Sequence, residues 1–448
     1  MEEAIASRYR KMGMRVRELM PAILAFGVPA TINLASIMVF TRLLSLYAYG
    51  ELSLAWVTIE FTCGIFYRWS KMGMIRFFDR SQRSIIVGIQ FTFGVSCLML
   101  LVLLLLFLFG ERSGWVSRHT FIFPVMLGII ARGVATFIQD VQRIYHEKLA
   151  RYTFVSFLCN AAYYLPVIGL AIWTRGNIRV DAILYIQAFA LLLLCLGISA
   201  RPLWLLRKKL FRKQQPGMYR GIMHYGIPIA IASVAIGMFA RIDRYVIEYV
   251  LGFRELGIYS AAFSLSNLVV SSIFTVLTIS SYPEIIRRLN SGRQAEAKVL
   301  FRQNGQLILT AVPVFVCCAC LLNTFLCQVL FGGKAPEISG VFPYVLLATY
   351  LFNLRIHYFD QVFQFSHTTR VSMYLAIVLG AGHLALSFLL TRTAGIHGIA
   401  LSNALMSLAG IVFTWVFVRR IFRIELSKPV VALNIAGLIA ITIYLMLI

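Results

Sequence analysis

Glu60, Arg132, Arg241, Asp243, Arg244, Arg355, His357 and Asp360 stand out as ionisable residues inside otherwise apolar stretches. Arg42 and Arg76 lie at the ends of such stretches. A charge held in lipid is costly, so it marks either a pathway or a pair. Arginines outnumber acids in this set, and a cavity that gathered them would be cationic and would prefer an anionic ligand. A guanidinium presents a planar fork to phosphate oxygens and cannot deprotonate to escape burial. Arg42, Arg76, Arg132, Arg241, Arg244 and Arg355 are therefore the candidates for substrate binding. Glu60, Asp243, His357 and Asp360 are the candidates for ion coupling. The competing role for each is a structural ion pair, or a side chain that snorkels to the headgroups.

Spacing refines this set. On a helix, Arg241, Arg244 and Glu248 share a face and Asp243 points elsewhere, which predicts an arginine of another helix as the partner of Asp243. Asn353, His357, Asp360 and Gln364 are spaced i, i+4, i+7 and i+11, one polar stripe on a regular helix. No catalytic constellation accompanies them. The chain has no HExxH and no Gly-x-Ser-x-Gly, and it has no long external loop rich in acids or histidines. His224, His367, His383 and His397 are scattered and read as interfacial or packing residues. The eight cysteines all sit in apolar runs, and Cys317, Cys318 and Cys320 have no His or acid nearby. They read as filler, so neither a metal nor a disulfide is expected. No Gly-rich phosphate loop is present, so no nucleotide cofactor is expected. The drive would come from a H+ or Na+ gradient.

The elements that must carry these residues follow from composition. The chain has 448 residues, 60% of them apolar and only 13% charged, with a mean hydropathy of +0.81. Such a balance excludes a soluble enzyme, a disordered chain and a disulfide scaffold. Apolar runs predict thirteen membrane spans near 19–41, 48–67, 84–109, 121–140, 152–173, 181–200, 222–249, 257–281, 306–331, 341–363, 371–390, 398–418 and 430–448. The net charge of +24 would suggest nucleic acid in a soluble protein. In a membrane protein it suggests basic residues gathered on the cytoplasmic side against anionic lipid. With the N-terminus inside, 30 Lys and Arg fall in cytoplasmic segments and 8 in external ones. That asymmetry predicts a multi-pass protein with a cytoplasmic N-terminus and no nucleic-acid partner. Arg201–Gly221 and Pro283–Gly305 would be its longest internal segments. Residues Met1–Glu18 are hydrophilic and basic, and do not read as a signal peptide.

An internal repeat organises the spans. Phe26-Gly27-Val28-Pro29 matches Tyr225-Gly226-Ile227-Pro228 at an offset of 199, which persists through Phe40 against Phe239 and Arg42 against Arg241. After an insertion of eight residues, Gly50, Ser53 and Ala55 match Gly257, Ser260 and Ala262. Six spans separate the copies, so both enter the membrane in the same direction. The expected fold is all-α, with two six-helix lobes related by a parallel pseudo-twofold axis, a layout suited to alternating access. The domains would be 1–200, a basic linker 201–221, a second lobe 222–418 and an additional C-terminal helix 419–448. Pro29 and Pro228 would bend the leading helix of each lobe, as a hinge or as a static kink.

These residues also carry a resemblance. Thr41-Arg42-Leu43-Leu44 followed by Tyr49-Gly50 resembles the opening of polysaccharide flippases. So do Gly226-Ile227-Pro228 with Asp243-Arg244-Tyr245, Leu256-Gly257-Ile258-Tyr259-Ser260-Ala261-Ala262, and Tyr282-Pro283 before a basic segment. Over about residues 20 to 420 the chain is similar to the polysaccharide transporter (Wzx-type) branch of the MOP superfamily. That superfamily also holds lipid II flippases and MATE drug antiporters. The resemblance implies a bacterial inner-membrane flippase, not an enzyme. It would move undecaprenyl-diphosphate-linked oligosaccharide for O-antigen, capsule or exopolysaccharide synthesis, with the polysaccharide polymerase and chain-length machinery as partners. Asp243-Arg244 matches the family motif, whereas Glu60, His357 and Asp360 are read from the residues alone, and thirteen spans depart from the usual twelve or fourteen. Two rivals stand beside it. A MATE-like drug antiporter would have acids, not arginines, dominating its cavity. A membrane glycosyltransferase or polymerase would carry catalytic groups on a long periplasmic loop.

Overall fold

The computed structural model describes residues 31–67, 83–112, 121–145, 149–210 and 237–418 without 366–367, together with 217, 219–221, 223, 224, 234 and 437. Arg76, Pro29, Pro228, most of the second half of the linker and the last predicted span lie outside the described residues. Two compact units divide the chain. Unit 1 takes the segment ending at Leu43 and Ala55–Val234, and unit 2 takes Leu44–Leu54 and the segment beginning at Ala235.

Unit 1 is built from α1 (Thr31–Leu43), α2 (Leu46–Phe66), α3 (Arg83–Arg112), α4 (Ile122–Tyr145), α5 (Leu149–Trp173) and α6 (Val180–Leu210). Unit 2 shares the first turns of α2. Long apolar runs become helices because in lipid every backbone amide must find its partner within the segment. Small residues then set how closely the helices approach. Gly128 and Gly133 of α4 lie directly under Ile59 of α2 and Tyr67 just beyond its end, where a Cβ would collide with those side chains. The core of unit 1 joins Ala131, Ala135 and Ile138 of α4 to Val155, Cys159 and Tyr163 of α5 and Ala188, Leu191 and Cys195 of α6. Between α5 and α6 the chain turns through Arg175 and Gly176, both in the left-handed region. A Cβ on Gly176 would strike the carbonyl of Leu43 at the end of α1. The helix α6 runs to Leu210, so the first half of the predicted linker continues the sixth span as helix.

Unit 2 contains α7 (Ile242–Leu251), α8 (Phe253–Asn290), α9 (Gln294–Leu321), α10 (Asn323–Phe331), α11 (Ala335–Ser339) and α12 (Phe342–Leu354). A π turn, Arg355–Phe359, leads on to α13 (Gln361–Phe365) and α14 (Thr369–Val418). Gly252, at φ 91°, separates α7 from α8. The first turns of α2 cross α8 glycine against glycine. A Cβ on Gly50 would strike the Phe253 carbonyl, and one on Gly257 would strike the Leu46 carbonyl. The helix α14 is two spans: Gly395, at φ 58° and ψ −138°, breaks it near its middle. The predicted spans 371–390 and 398–418 lie on either side of that break.

Three details differ from expectation. Pro283–Gly305 is not a loop. The helices α8 and α9 run on to a short turn at Ser291–Arg293, because Glu284 pairs with Arg287 and with Arg288 at 2.8 Å on successive turns. The predicted span 306–331 breaks at Leu322 between α9 and α10. Further on, Asn323–Ser339 and Phe342–Phe363 meet at 97°. Among the described residues, six helices are long and apolar enough to cross a membrane, or seven if that bent pair is one span. The protein is an all-helical, multi-pass membrane protein.

Candidate functional site

In unit 1 the close approach of α2 to α4 sets Glu60 opposite Arg132. Arg132 Nε donates to Glu60 Oε1 at 2.6 Å, with the side chains 21% and 35% exposed. The Arg132 guanidinium also lies over the Tyr163 ring, 5.2 Å from its centroid. Around this pair stands an aromatic group that sequence reasoning missed. Tyr163 and Tyr164 meet edge to face at 4.9 Å, Tyr164 meets Trp56 at 6.1 Å, and Trp56 meets Phe40 at 5.6 Å. Trp56 Nε1 donates to Gln187 Oε1 at 2.9 Å. The available signal was Trp56 four residues before Glu60 on one helix face, with Gln187 alone in the apolar run of α6.

In unit 2 Asp243 does not pair with another helix's arginine. Its Oδ1 accepts from Arg244 Nη1 at 3.1 Å, and its Oδ2 accepts from Tyr259 of α8 at 2.5 Å. The Asp243 and Arg244 side chains are 0% and 6% exposed, and the guanidinium covers the Phe263 ring at 4.1 Å. Asp243 sits in the first turn of α7, where its side chain also accepts the backbone N–H of Arg244. It can therefore fold back on its neighbour rather than reach outward.

The polar stripe is likewise divided. The π turn inserts an extra residue into the helical repeat and rotates everything after it. Asn353 and His357 face α8, where Asn353 Oδ1 accepts from Ser271 at 2.9 Å and His357 stacks on Phe274 at 5.6 Å. Asp360 turns instead toward α14 and accepts from Thr414 at 3.3 Å. It also approaches Arg355 Nε at 3.3 Å. Arg355 is almost wholly buried, with its guanidinium 4.4 Å from the Phe239 ring centroid and its stem against Gly410. His383 joins the two spans of α14 by hydrogen-bonding Ser402 at 2.9 Å and Ser387 at 3.2 Å, a packing role as expected.

Arg42 and Arg241 occupy corresponding places. Arg42 is in the last turn of α1 and is exposed, and Arg241 is half-buried in the turn that leads into α7. Each follows a fully buried phenylalanine by two residues, Phe40 and Phe239. The arginines thus divide by environment. Arg244 and Arg355 are buried and paired, Arg132 is paired and partly open, and Arg42 and Arg241 stand nearer the surface of their units. Among the described residues no group of His, Cys, Asp and Glu is placed to hold a metal ion.

A profile of a family described as "Polysaccharide biosynthesis protein" matches residues 22–289, well over half of the chain. The chain belongs to this polysaccharide biosynthesis protein family. Its fold is similar to those of solved flippases and transporters. The lipid II flippase MurJ, in an inward closed conformation, superposes with a TM-score of 0.71 over 95% of this chain and 92% of its own, at 11% identity. Two structures of a multidrug resistance MATE family transporter of the MOP superfamily, in different conformations, are also similar in fold. An inward-facing one has a TM-score of 0.55 at 14% identity, covering 89% of this chain and 98% of its own. An outward-facing one has a TM-score of 0.54 at 13% identity, covering 96% and 95%. No curated protein sequence matches the chain.

Proposed function

We propose that the protein is a flippase that carries undecaprenyl-diphosphate-linked oligosaccharide across the bacterial inner membrane by alternating access, for O-antigen, capsule or exopolysaccharide assembly. The observation that carries this reading is the family match over residues 22–289 on a fold shared with flippases and transporters. The charge inventory supports it: the arginines at the ends of the leading helices suit an anionic diphosphate better than a cationic drug. Arg42 in unit 1 and Arg241 in unit 2 are each proposed as diphosphate contacts, because they match in the sequence and stand nearer the surface of their units than Arg244 and Arg355 do. The carboxylates and imidazole of Glu60, Asp243, Asp360 and His357 are the proposed carriers of a coupling H+ or Na+. The N-terminus would be cytoplasmic, the basic segments would meet anionic lipid, and the polymerase and chain-length machinery would receive the product.

A guanidinium–phosphate bond contributes about 1.5–3 kcal/mol net, so losing two should nearly abolish transport. The test is restoration of polysaccharide export in a flippase-deleted strain, with protein level measured by blot. Arg42→Ala/Arg241→Ala is expected to restore little export at normal protein level. Arg241→Lys keeps the charge but loses the fork, and should restore part. Full export by the double alanine variant would rule out these two residues as the headgroup contacts.

A further inference from the structure

The aromatic group around Glu60 and Arg132 leaves bonds unmade. Gln187 is 1% exposed, and its Oε1 is taken by Trp56, yet its Nε2 has no partner among the described residues. Arg132 uses only Nε, on Glu60, so Nη1 and Nη2 donate to nothing among the described residues. A network whose sole task is to hold helices together closes its donors, because a buried orphan costs about 1–3 kcal/mol. Here one donor is orphaned and two more are open beside a carboxylate that is itself partly exposed. Two half-buried rings, Trp56 and Tyr164, stand next to them at 82° to each other.

The missing partner has a definable chemistry. It must both give and take hydrogen bonds, since carboxylate, guanidinium and amide lie within one cluster. It must also offer an apolar face to an aromatic ring. It should be close to neutral, because Glu60 already offsets Arg132. A pyranose ring has all three properties: vicinal hydroxyls, a C–H face and no charge. We propose that unit 1 carries a sugar-recognition subsite, formed by Trp56, Glu60, Arg132, Tyr164 and Gln187, that takes a neutral hexose of the lipid-linked oligosaccharide. Trp56 and Tyr164 pack against the ring, the Glu60–Arg132 pair brackets two hydroxyls, and Gln187 Nε2 donates to a third oxygen. Tyr163 holds Arg132 in place from below. This inference rests on the flippase reading and adds what selects the cargo: the diphosphate is common to every such carrier, so selection among carriers must come from the sugar.

The test uses the full-length protein in lipid nanodiscs and two probes, bare undecaprenyl diphosphate and the same carrier bearing one neutral hexose. The wild type is expected to bind the loaded carrier about tenfold more tightly, as one aromatic contact and one charge-assisted bond would give. Trp56→Leu and Gln187→Leu should each abolish that preference while leaving affinity for the bare carrier within about twofold. Trp56→Tyr should restore part of it. Bare-carrier binding reports on folding in each variant. Loss of both affinities together would mean that the cluster is structural and would overturn the subsite, as would a preference unchanged in both variants. A wild type that binds the bare carrier but shows no preference would overturn the subsite and leave the flippase reading standing. A wild type that binds neither probe would overturn the flippase reading itself.

Discussion

A guanidinium inside a helical bundle is stable only if its charge is answered, and the chain answers its buried arginines with carboxylates close at hand. Arg244 has Asp243 beside it, and Arg355 has Asp360 one π turn later. Removing one member of such a pair strands the other, which typically costs about 3–5 kcal/mol, whereas replacing both with apolar groups is often nearly neutral. Asp243→Asn should therefore lower the thermal stability of the purified protein strongly, and Asp243→Asn/Arg244→Leu should recover most of the loss. Tyr259→Phe removes one hydrogen bond to the carboxylate, so a smaller loss of about 1.5–3 kcal/mol is expected. Scanning fluorimetry in detergent would rank the three, and equal losses for the single and double variants would contradict a pair. The charges themselves were legible in the sequence, since an ionised side chain in an apolar run is conspicuous. Their partners were not. Asp243 was expected to look outward because helical spacing puts it on another face from Arg244, but its place in the first turn of α7 lets it fold back on its neighbour. The aromatic group of unit 1 was not legible either. Trp56, Tyr163 and Tyr164 have the composition of ordinary apolar filler, and only the approach of four helices brings them together.

Helix boundaries followed the hydropathy closely wherever lipid dictates them, and departed from it where charges continue the helix beyond the apolar stretch. The α8–α9 hairpin is the clearest case. Glu284 pairs with Arg287 and Arg288, and both Arg288 and Arg293 come within 4 Å of Glu296, at 3.6 and 3.7 Å. The Glu284 carboxyl lies below the usual glutamate range, first because Arg288 donates to it and further because Arg287 and Arg293 are near. A depressed folded-state pKa stabilises the hairpin above the unfolded value, and that stabilisation is lost as pH falls through the folded one. Protection factors for the amides of residues 284–298 should therefore drop between pH 7 and pH 3 by more than those of α5, which carries no such pair. Glu284→Gln should remove the difference. A hairpin equally protected at both pH values would show that the pairs are incidental. The broken elements were hidden for a different reason: a π turn, a glycine at positive φ and a 97° bend leave composition unchanged, so a hydropathy reading passes straight over them.

At the scale of the whole molecule, the family and the all-helical membrane fold were both within reach of the sequence, the first through its short motifs and the second through the lengths of its apolar runs. Where the cargo is gripped depends on a few side chains and is correspondingly faint. The glycines paired by the repeat, Gly50 and Gly257, are the two that meet where α2 crosses α8, each facing a carbonyl four residues before the other. Gly50→Ala and Gly257→Ala should each wedge the crossing apart and lower the melting temperature. The double variant should lose less than the sum, because the first methyl already opens the gap that the second would need. Strict additivity would mean that the two methyls act on separate contacts. The crossing also limits how the protein can change over time. A crowded core can often recover from an enlarged residue by shrinking its neighbour. Here the neighbour is backbone and the opposing residue is already the smallest there is, so neither position has a suppressor within reach, and a lineage that loses one of these glycines can regain the close fit only by reverting.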